Sequence, residues 1–146
     1  MGEPVIGGVL LTPLRRVPNP KGDVMHAVKR SSPGFAGFAE AYFSTALPGQ
    51  IKGWKCHRRV TLNLIVPVGR IRFVIHDDRP DSPTRGHFDD VTLGEEHYAR
   101  LTVPPGLWMA FTAARSEPGM LLNVTNEEHD PNEADNAGLE SFNFSW

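Results

Sequence analysis

Short apolar or alternating runs follow one another along the chain, separated by turns rich in glycine, proline and aspartate at spacings of roughly 8 to 12 residues. Runs of this kind predict β-strands, and the spacing is typical of a β-sandwich or a barrel. The predicted strands span residues 5–11, 38–45, 53–58, 61–67, 70–76, 99–103, 109–113 and 121–125.

The segments between these strands are polar. Residues 77–90 and 126–136 are predicted to be surface loops, and residues 94–98 are predicted to form a helical turn. In the C-terminal segment, residues 137–146, aromatic side chains alternate with polar ones. This alternation predicts a final strand whose apolar face docks on its own subunit or on a partner. Trp54 and Trp108 are expected to pack in the core or at a dimer contact.

The amino-acid composition also indicates that turns are frequent and that long helices are absent. The chain has 14 glycines and 13 prolines among 146 residues, well above average usage. This length suits a single domain with a real hydrophobic core and excludes separate cofactor and substrate domains.

Charge and cysteine content narrow the class further. Lysine and arginine number 15 against 17 acidic residues, and this balance argues against a protein that binds nucleic acid or a membrane surface. No apolar run is long enough to span a membrane, and the first 14 residues do not form a secretory signal. The single cysteine, Cys56, cannot form an internal disulfide, so a cytoplasmic protein is expected.

Several short segments resemble, in their order, those of the dTDP-4-dehydrorhamnose 3,5-epimerase family. They are residues 21–25 (KGDVM), 51–57 (IKGWKCH), 64–71 (LIVPVGRI), 77–79 (DDR), 82–84 (SPT), 101–106 (LTVPPG) and 125–131 (TNEEHDP). The resemblance implies one all-β domain over residues 1–146, the double-stranded β-helix or jelly roll of the cupins. It also implies a homodimer in which the N-terminal strand, residues 5–11, is exchanged or paired between subunits.

The same resemblance implies epimerisation next to the ketone of a nucleotide-linked 4-keto-6-deoxy sugar, with dTDP as the expected nucleotide. In this chemistry a base removes a proton beside the carbonyl group, cationic or hydrogen-bonding groups hold the enolate, and a tyrosine protonates the opposite face. No metal or organic cofactor is expected, because the ketone itself acidifies the C–H bond.

Position by position, the chain departs from this pattern. The place of the family's base histidine, after a basic-Gly-apolar triplet, is taken by Lys55, and the place of its acid tyrosine by Asn123. Met109 occupies the position of a further histidine of the family, and the position of the family's enolate-binding lysine falls near Asn63. The chain is also shorter than is usual in the family at its C-terminal side, which supplies the carboxylate partner of the base. We therefore expect both members of that pair to be absent.

Other family positions are kept. Lys52, Asp77 and Arg79 match, and Lys21 stands where the family has an arginine beside the nucleotide. The candidate substrate-binding set consists of Lys21, Lys52, Asn63, Arg79 and Asn123, and Arg58 is added to it because guanidinium groups bind phosphate well.

Lys55 and His57 are the candidate catalytic pair, since alternation in a strand places both on one face with Trp54 and Cys56 on the other. A lysine kept from water beside another cation can act as a base, and a histidine can shuttle a proton. Alternatively, the two bind an anionic ligand or pair with Asp77. Asp77 either orients one of them as a third catalytic residue or only stabilises its turn with Arg79.

A metal site is not expected. The histidine-rich pattern of metal-binding cupins is represented here by Lys55, His57 and Met109, so two of its three histidines are missing. Residues 127–130 (EEHD) resemble a metal-binding run but are predicted to lie in a solvated loop.

Two functions remain open at this point. The first is a nucleotide-sugar epimerase or ketoisomerase of polysaccharide biosynthesis, with Lys52, Arg58 or Arg79 holding phosphate or enolate. The alternative is a cupin that binds a sugar or nucleotide sugar without turning it over, as the missing base and acid suggest.

Overall fold

The computed structural model describes residues 3–146. This part of the chain contains twelve β-strands and one three-residue 3-10 helix. No helix in this part is long enough to span a membrane. The helix is Leu139–Ser141, and the strands are β1 (Leu10–Pro13), β2 (Arg16–Val17), β3 (Val24–Met25), β4 (Glu40–Ala46), β5 (Lys52–His57), β6 (Leu62–Val68), β7 (Arg70–His76), β8 (Phe88–Gly94), β9 (Ala99–Val103), β10 (Trp108–Ala113), β11 (Gly119–Thr125) and β12 (Ala134–Asn136).

Two five-stranded antiparallel sheets form the barrel. The first has the order β1-β9-β6-β11-β4 and the second the order β12-β5-β10-β7-β8, while β2 and β3 form a small separate hairpin. Strands distant in sequence are neighbours within each sheet, as in a jelly roll, and the predicted all-β fold is confirmed. The core lies between the sheets, where the inward residues of β6, β7 and β9 pack together.

Each of the eight predicted strands overlaps an observed strand, and the bounds of β7 and β9 match the prediction. The first one is displaced, because the chain turns at residues 6–8 and only then enters β1. In this single chain, β1 pairs with β9 of the same chain.

Two predicted loops contain strands. β8 begins at Phe88, inside the predicted loop 77–90, and β12 lies inside the predicted loop 126–136. In β8 the carboxylate of Asp89 is buried, and it accepts hydrogen bonds from the backbone N–H groups of Val5 and Ile6, which compensate for its removal from water. The charges that suggested a loop are therefore satisfied by tertiary partners.

The predicted helical turn at residues 94–98 is wrong. Gly94 and His97 exchange two backbone hydrogen bonds of 3.2 Å, which closes a tight turn between β8 and β9. A glycine suits this turn because a Cβ atom on Gly94 would lie 2.8 Å from the carbonyl oxygen of Gly69.

The C-terminal segment packs on its own chain, which was one of the two predicted alternatives. It does not form the predicted final strand, because no strand follows β12. Phe142, Phe144 and Trp146 cover the outer face of the second sheet and pack around Trp54, which is only 1% exposed. The ring centroids of Trp54 and Phe142 are 5.5 Å apart in an edge-on contact. These rings form a second apolar layer outside the barrel.

A β-bulge interrupts the pairing of β5 with β10. Met109 pairs with Lys55 and Phe111 pairs with Lys52, so two residues of β5 oppose the single residue Ala110. One of the two is Gly53, which has φ of +152°, and a Cβ atom there would lie 2.3 Å from the Cβ atom of Ala110. This position requires glycine.

Candidate active site

A cavity of about 500 Å³ opens between the inner faces of the two sheets. Its buried floor is apolar and its polar side chains come mainly from β4, β5 and β11. The apolar lining residues are Val60, Leu62, Leu64, Val103, Pro104, Leu107, Met109, Phe111 and Leu121, and the polar ones are Tyr42, Ser44, Lys52, Lys55, His57, Asn123, His129 and Asn136.

β5 places its basic residues in this cavity. Lys55 and His57 both line the cavity while Trp54 is buried against the aromatic layer on the other side, as the alternation predicts. Lys52 lines the cavity too, although it is three positions before Lys55. The bulge at Gly53 explains this, because the extra residue reverses the alternation between Lys52 and Lys55.

His57 is held by a buried carboxylate. Its Nδ1 atom lies 2.6 Å from Oε1 of Glu133, which is only 2% exposed. The second carboxylate oxygen accepts backbone hydrogen bonds from Arg58, Arg59 and Val60, at 2.8 to 3.0 Å. Glu133 therefore fixes both the His57 ring and the turn that follows β5.

This environment keeps Glu133 ionised. Burial alone would raise the pKa of Glu133, but the hydrogen bonds from the backbone of Arg59, from His57 and from the backbone of Val60 outweigh it and lower the pKa to about 2. An ionised carboxylate only accepts hydrogen bonds, so Nδ1 of His57 carries the proton that it donates. In the neutral ring, Nε2 is then the unprotonated nitrogen, available to a ligand.

The structure thus contains a histidine–carboxylate pair, but not at the positions where the family pair was expected and found missing. The histidine is His57, two positions after the expected one, and the carboxylate is Glu133 from the segment before β12. The sequence offered no spacing signal for this pair, because its members are 76 positions apart and Glu133 lies in a predicted surface loop.

The two lysines differ in their surroundings. Lys52 donates hydrogen bonds from Nζ to Oγ of Ser44, at 3.1 Å, and to the carbonyl oxygen of Thr45, at 2.8 Å. It thus bridges β5 to β4 at the mouth of the cavity. Lys55 is exposed, and its ammonium group has no hydrogen-bond or ion-pair partner in residues 3–146.

Asn123 is buried at the cavity wall beside a tyrosine that sequence reasoning missed. Asn123 and Tyr42 are directly paired residues of β11 and β4, and Nδ2 of Asn123 donates a hydrogen bond of 2.9 Å to the Tyr42 hydroxyl oxygen. Oδ1 of Asn123 is buried with no hydrogen-bond partner. The alternation of Tyr42 and Ser44 on β4 was the one signal for an inward-facing tyrosine.

Asp77 does not contact Lys55 or His57, which rules out its catalytic role in orienting them. Its fully buried carboxylate accepts hydrogen bonds from the side chains of Arg79, Ser82 and Thr84. The hydrogen bond from Arg79, helped by those from Ser82 and Thr84, holds the pKa of Asp77 well below its usual range. Asp77 and Arg79 therefore stabilise their loop, and Arg79 does not reach the cavity.

Three more candidate ligand residues lie elsewhere. Asn63 faces away from the cavity, and its Oδ1 atom accepts hydrogen bonds from Nε of the buried Arg100 and from Oγ1 of Thr102. The guanidinium group of Arg58 binds the carboxylate of Asp135 and the carbonyl group of Asn132.

Lys21 lies in the turn of the β2–β3 hairpin and does not line the cavity. His129 belongs to the predicted solvated loop and is exposed, but it lines the mouth of the cavity. In residues 3–146, no group of three or more histidine, cysteine, aspartate or glutamate side chains is arranged to hold a metal ion.

The electrostatics of the cavity favour anions. Of its lining residues in the described part of the chain, Lys52 and Lys55 are cationic, two are histidines, and none is acidic. Glu133 stands behind His57 rather than in the cavity. A negatively charged ligand would thus meet positive charge at the mouth and apolar surface below it.

A jelly-roll barrel with such a cavity between its sheets defines a cupin. The sequence profile of the dTDP-4-dehydrorhamnose 3,5-epimerase family matches residues 6–143. The chain belongs to this family.

Individual relatives agree with this assignment. The crystal structure of a dTDP sugar isomerase from Desulfovibrio desulfuricans G20 superposes with a TM-score of 0.92 at 38% identity, covering 97% of this chain and 92% of that one. The probable low-salt glycan biosynthesis epimerase Agl13 of Haloferax volcanii is 33% identical over 96 residues, which are 65% of this chain and 62% of that protein. The spore coat polysaccharide biosynthesis protein SpsL of Bacillus subtilis is 25% identical over 97% of both chains.

Proposed function

We propose that this protein is a nucleotide-sugar epimerase in which His57 removes the proton next to the ketone of a 4-keto-6-deoxy sugar. The observation that carries the proposal is the pair formed by His57 and the buried, ionised Glu133 at the wall of the cavity between the sheets. A ketoisomerase reaction starts with the same abstraction and is the nearest variant.

The His57–Glu133 pair suits proton abstraction. Glu133 keeps the ring proton on Nδ1, so Nε2 is free to accept a proton from carbon. When the imidazolium ion forms, the adjacent carboxylate stabilises it, as in other histidine–carboxylate pairs. A sugar bound over the apolar floor of the cavity would displace water, which would strengthen each of these interactions.

The two lysines supply positive charge where the reaction and the substrate need it. The unpaired ammonium group of Lys55 lines the same wall as His57 and is suited to the enolate oxygen or to the diphosphate group. Lys52, already bound to β4, adds to the positive potential at the mouth. The sequence made Lys55 a candidate for the base. We propose His57 instead, because His57 has a carboxylate partner and Lys55 has none among the described residues.

The nucleotide is proposed from relatives. The crystal structure that is 38% identical to this chain is that of a dTDP sugar isomerase, and two further relatives belong to glycan or spore-coat polysaccharide biosynthesis. We therefore propose a dTDP-linked substrate and a place in polysaccharide biosynthesis.

We also propose a cytoplasmic homodimer. The single cysteine is consistent with a reducing compartment. Phe38 and Phe43 are 66% and 65% exposed on or beside the edge strand β4, where a second copy of the chain would cover them. Light scattering on the purified protein would give the mass of a dimer, whereas a monomeric mass would contradict this part of the proposal.

Isotope exchange tests the proposed reaction. Incubation with a panel of dTDP-4-keto-6-deoxyhexoses in deuterated water should introduce deuterium beside the ketone at C3 or C5. His57→Gln should reduce the exchange rate by about 10²-fold or more, while His87→Gln, which changes an exposed loop histidine, should leave it unchanged.

Binding without exchange would support the alternative function. If the nucleotide sugars raise the melting temperature of the wild-type protein but no deuterium enters any of them, the protein is a binding cupin rather than an epimerase. The thermal shift also checks that His57→Gln still folds and binds its ligand.

A further inference from the structure

Tyr42 and Asn123 lie on the cavity wall that faces the His57–Glu133 pair. They belong to the first sheet, on β4 and β11, whereas His57 belongs to the second sheet, on β5. A sugar ring bound in the cavity would therefore have the base on one side and the phenol on the other.

Inversion of a carbon beside a ketone requires groups on both faces. The base leaves a planar enolate, and returning the proton from the same side restores the original configuration. The opposite configuration forms only when an acid delivers a proton to the other face of the plane. An epimerase that uses His57 as its base thus needs a proton donor on the wall of the first sheet.

Tyr42 is the group on that wall that suits this role. A phenol is neutral at physiological pH and is a far stronger acid than an aliphatic alcohol, so it can protonate an enolate. The only other hydroxyl on this wall, in the described residues that line the cavity, is that of Ser44, which accepts a hydrogen bond from Lys52. The second tyrosine of the chain, Tyr98, donates its hydroxyl proton to the carbonyl group of His26 and does not line the cavity.

Asn123 prepares the Tyr42 hydroxyl for proton transfer. Its Nδ2 atom donates to the phenol oxygen at 2.9 Å, so the hydroxyl proton is not used in this bond and can point into the cavity. The same bond stabilises the tyrosinate left after transfer. Oδ1 of Asn123, buried and without a partner, is an acceptor that a ligand hydroxyl group would satisfy.

We propose that Tyr42 delivers the proton that inverts the sugar carbon and that Asn123 positions it. The C–H bond breaks as its proton moves to Nε2 of His57 and its electron pair forms the enolate. The new C–H bond takes the proton of the Tyr42 hydroxyl group. His57 then releases its proton to water, and Tyr42, which is 41% exposed, regains one from water.

This inference rests on the proposed epimerase function, and the two can fail separately. The substitution Tyr42→Phe keeps the ring and removes only the acid, with Tyr98→Phe as the matched control. The assay follows one dTDP-4-keto-6-deoxyhexose that the wild-type protein epimerises, in deuterated water, and measures both deuterium entry and the inverted product. If the wild-type protein introduces no deuterium into any sugar, the proposed function fails before Tyr42 is tested.

Tyr42→Phe should still introduce deuterium with retention of configuration, because His57 can abstract the proton, exchange it for a deuteron from the solvent and return that deuteron to the same face. Formation of the inverted product should fall by about 10² to 10⁴-fold, while Tyr98→Phe should match the wild-type protein in both measurements. Inversion by Tyr42→Phe at the wild-type rate would overturn the proposal. Equal loss of exchange and inversion, with the ligand-induced thermal shift intact, would also overturn it by assigning Tyr42 to the abstraction step.

Asn123→Leu tests the positioning role. The ratio of inversion to exchange should fall, because the phenol is still present but is no longer aligned. A merely structural role for Asn123 would lower both rates together and leave their ratio unchanged, and that result would remove Asn123 from the proposal.

Discussion

Glu133 lies 76 positions after His57 in the chain, and its Oε1 atom is 2.6 Å from Nδ1 of that histidine. The pair joins β5 to the segment that precedes β12, at the wall of the cavity. Because the glutamate also binds three consecutive backbone N–H groups, it cannot turn away from the imidazole ring without losing them.

The first prediction concerns the charge of this glutamate. Glu133→Gln keeps the shape but no longer stabilises an imidazolium ion, so deuterium exchange should slow by about 10² to 10⁴-fold. Glu127→Gln, which alters the surface ion pair with Arg59, is the control and should exchange at the wild-type rate. An exchange rate of Glu133→Gln close to that of the wild-type protein would show that the pair does not take part in catalysis.

A second prediction concerns stability in acid. The pKa of Glu133 falls from its usual 4.5 to about 2 in the folded protein, so as the pH drops the unfolded chain takes up this proton first. The stabilisation is complete above about pH 5 and is lost as the pH falls towards 2, and it amounts to about 3 kcal/mol. Asp77, whose pKa is also lowered, adds to the same trend.

Urea unfolding between pH 7 and pH 3 measures this effect. The free energy of unfolding of the wild-type protein should decrease as the pH falls from 5 to 3. Glu133→Gln should show a smaller decrease over the same interval, since it has no carboxyl group to protonate at that position. Parallel curves for the two proteins would contradict the assignment.

Gly53→Ala is predicted to disrupt β5. The new Cβ atom would lie 2.3 Å from the Cβ atom of Ala110, and the left-handed backbone adds strain. We expect a loss of about 3 kcal/mol or more in the free energy of unfolding. Gly49→Ala, at a positive φ with no atom within 4 Å of the added Cβ, should lose only about 1 kcal/mol.

Asn63, a substrate-binding candidate from the sequence, has a structural role instead, because it binds the buried Arg100. Asn63→Ala would leave Nε of the buried Arg100 unpaired, so the free energy of unfolding should fall by about 2 to 4 kcal/mol. The KM for the sugar should not change, because Asn63 faces away from the cavity. A raised KM with unchanged stability would restore the substrate-binding role predicted from the sequence; exposed Gln50→Ala provides the neutral control.

The aromatic layer should contribute to stability and not to catalysis. Phe142→Ala removes contacts with Trp54 and His76, whose ring centroids lie 5.5 and 4.5 Å away, and should cost about 2 kcal/mol of unfolding free energy. The exchange rate should stay at the wild-type value, as it should in the control Val24→Ala, which shortens an exposed apolar side chain of the β2–β3 hairpin. A selective loss of exchange in Phe142→Ala would link this layer to the cavity.

Alternation of apolar and polar residues was sufficient to predict most of the barrel. It placed β7 and β9 correctly because their apolar residues face the core and few other forces compete. It failed for β8, where Asp89 and Asp90 suggested a loop. Their charges are compensated by the backbone of residues 5 and 6 and by Arg72, and no local pattern shows such partners.

The candidate site was only partly accessible from the sequence. Lys55 and His57 follow from alternation within one strand, because that rule needs no knowledge of neighbouring strands. Glu133 could not be found in this way, since it reaches the cavity through loop packing. Tyr42 lies in a predicted strand, but alternation alone does not tell which face of that strand points into the cavity. Asp77 was misassigned because its neighbours in sequence, Arg79 and the hydroxyl groups after it, are also its partners in space.

The bulge at Gly53 determines which charges of β5 reach the cavity. Because two residues of β5 oppose Ala110, Lys52 and Lys55 present the same face although they are three positions apart. A regular pairing of the same residues would turn Lys52 to the other face and break its bridge to β4, with Lys55 and His57 unchanged. The positive charge at the mouth of the cavity therefore depends on backbone geometry and not only on the number of basic residues in β5.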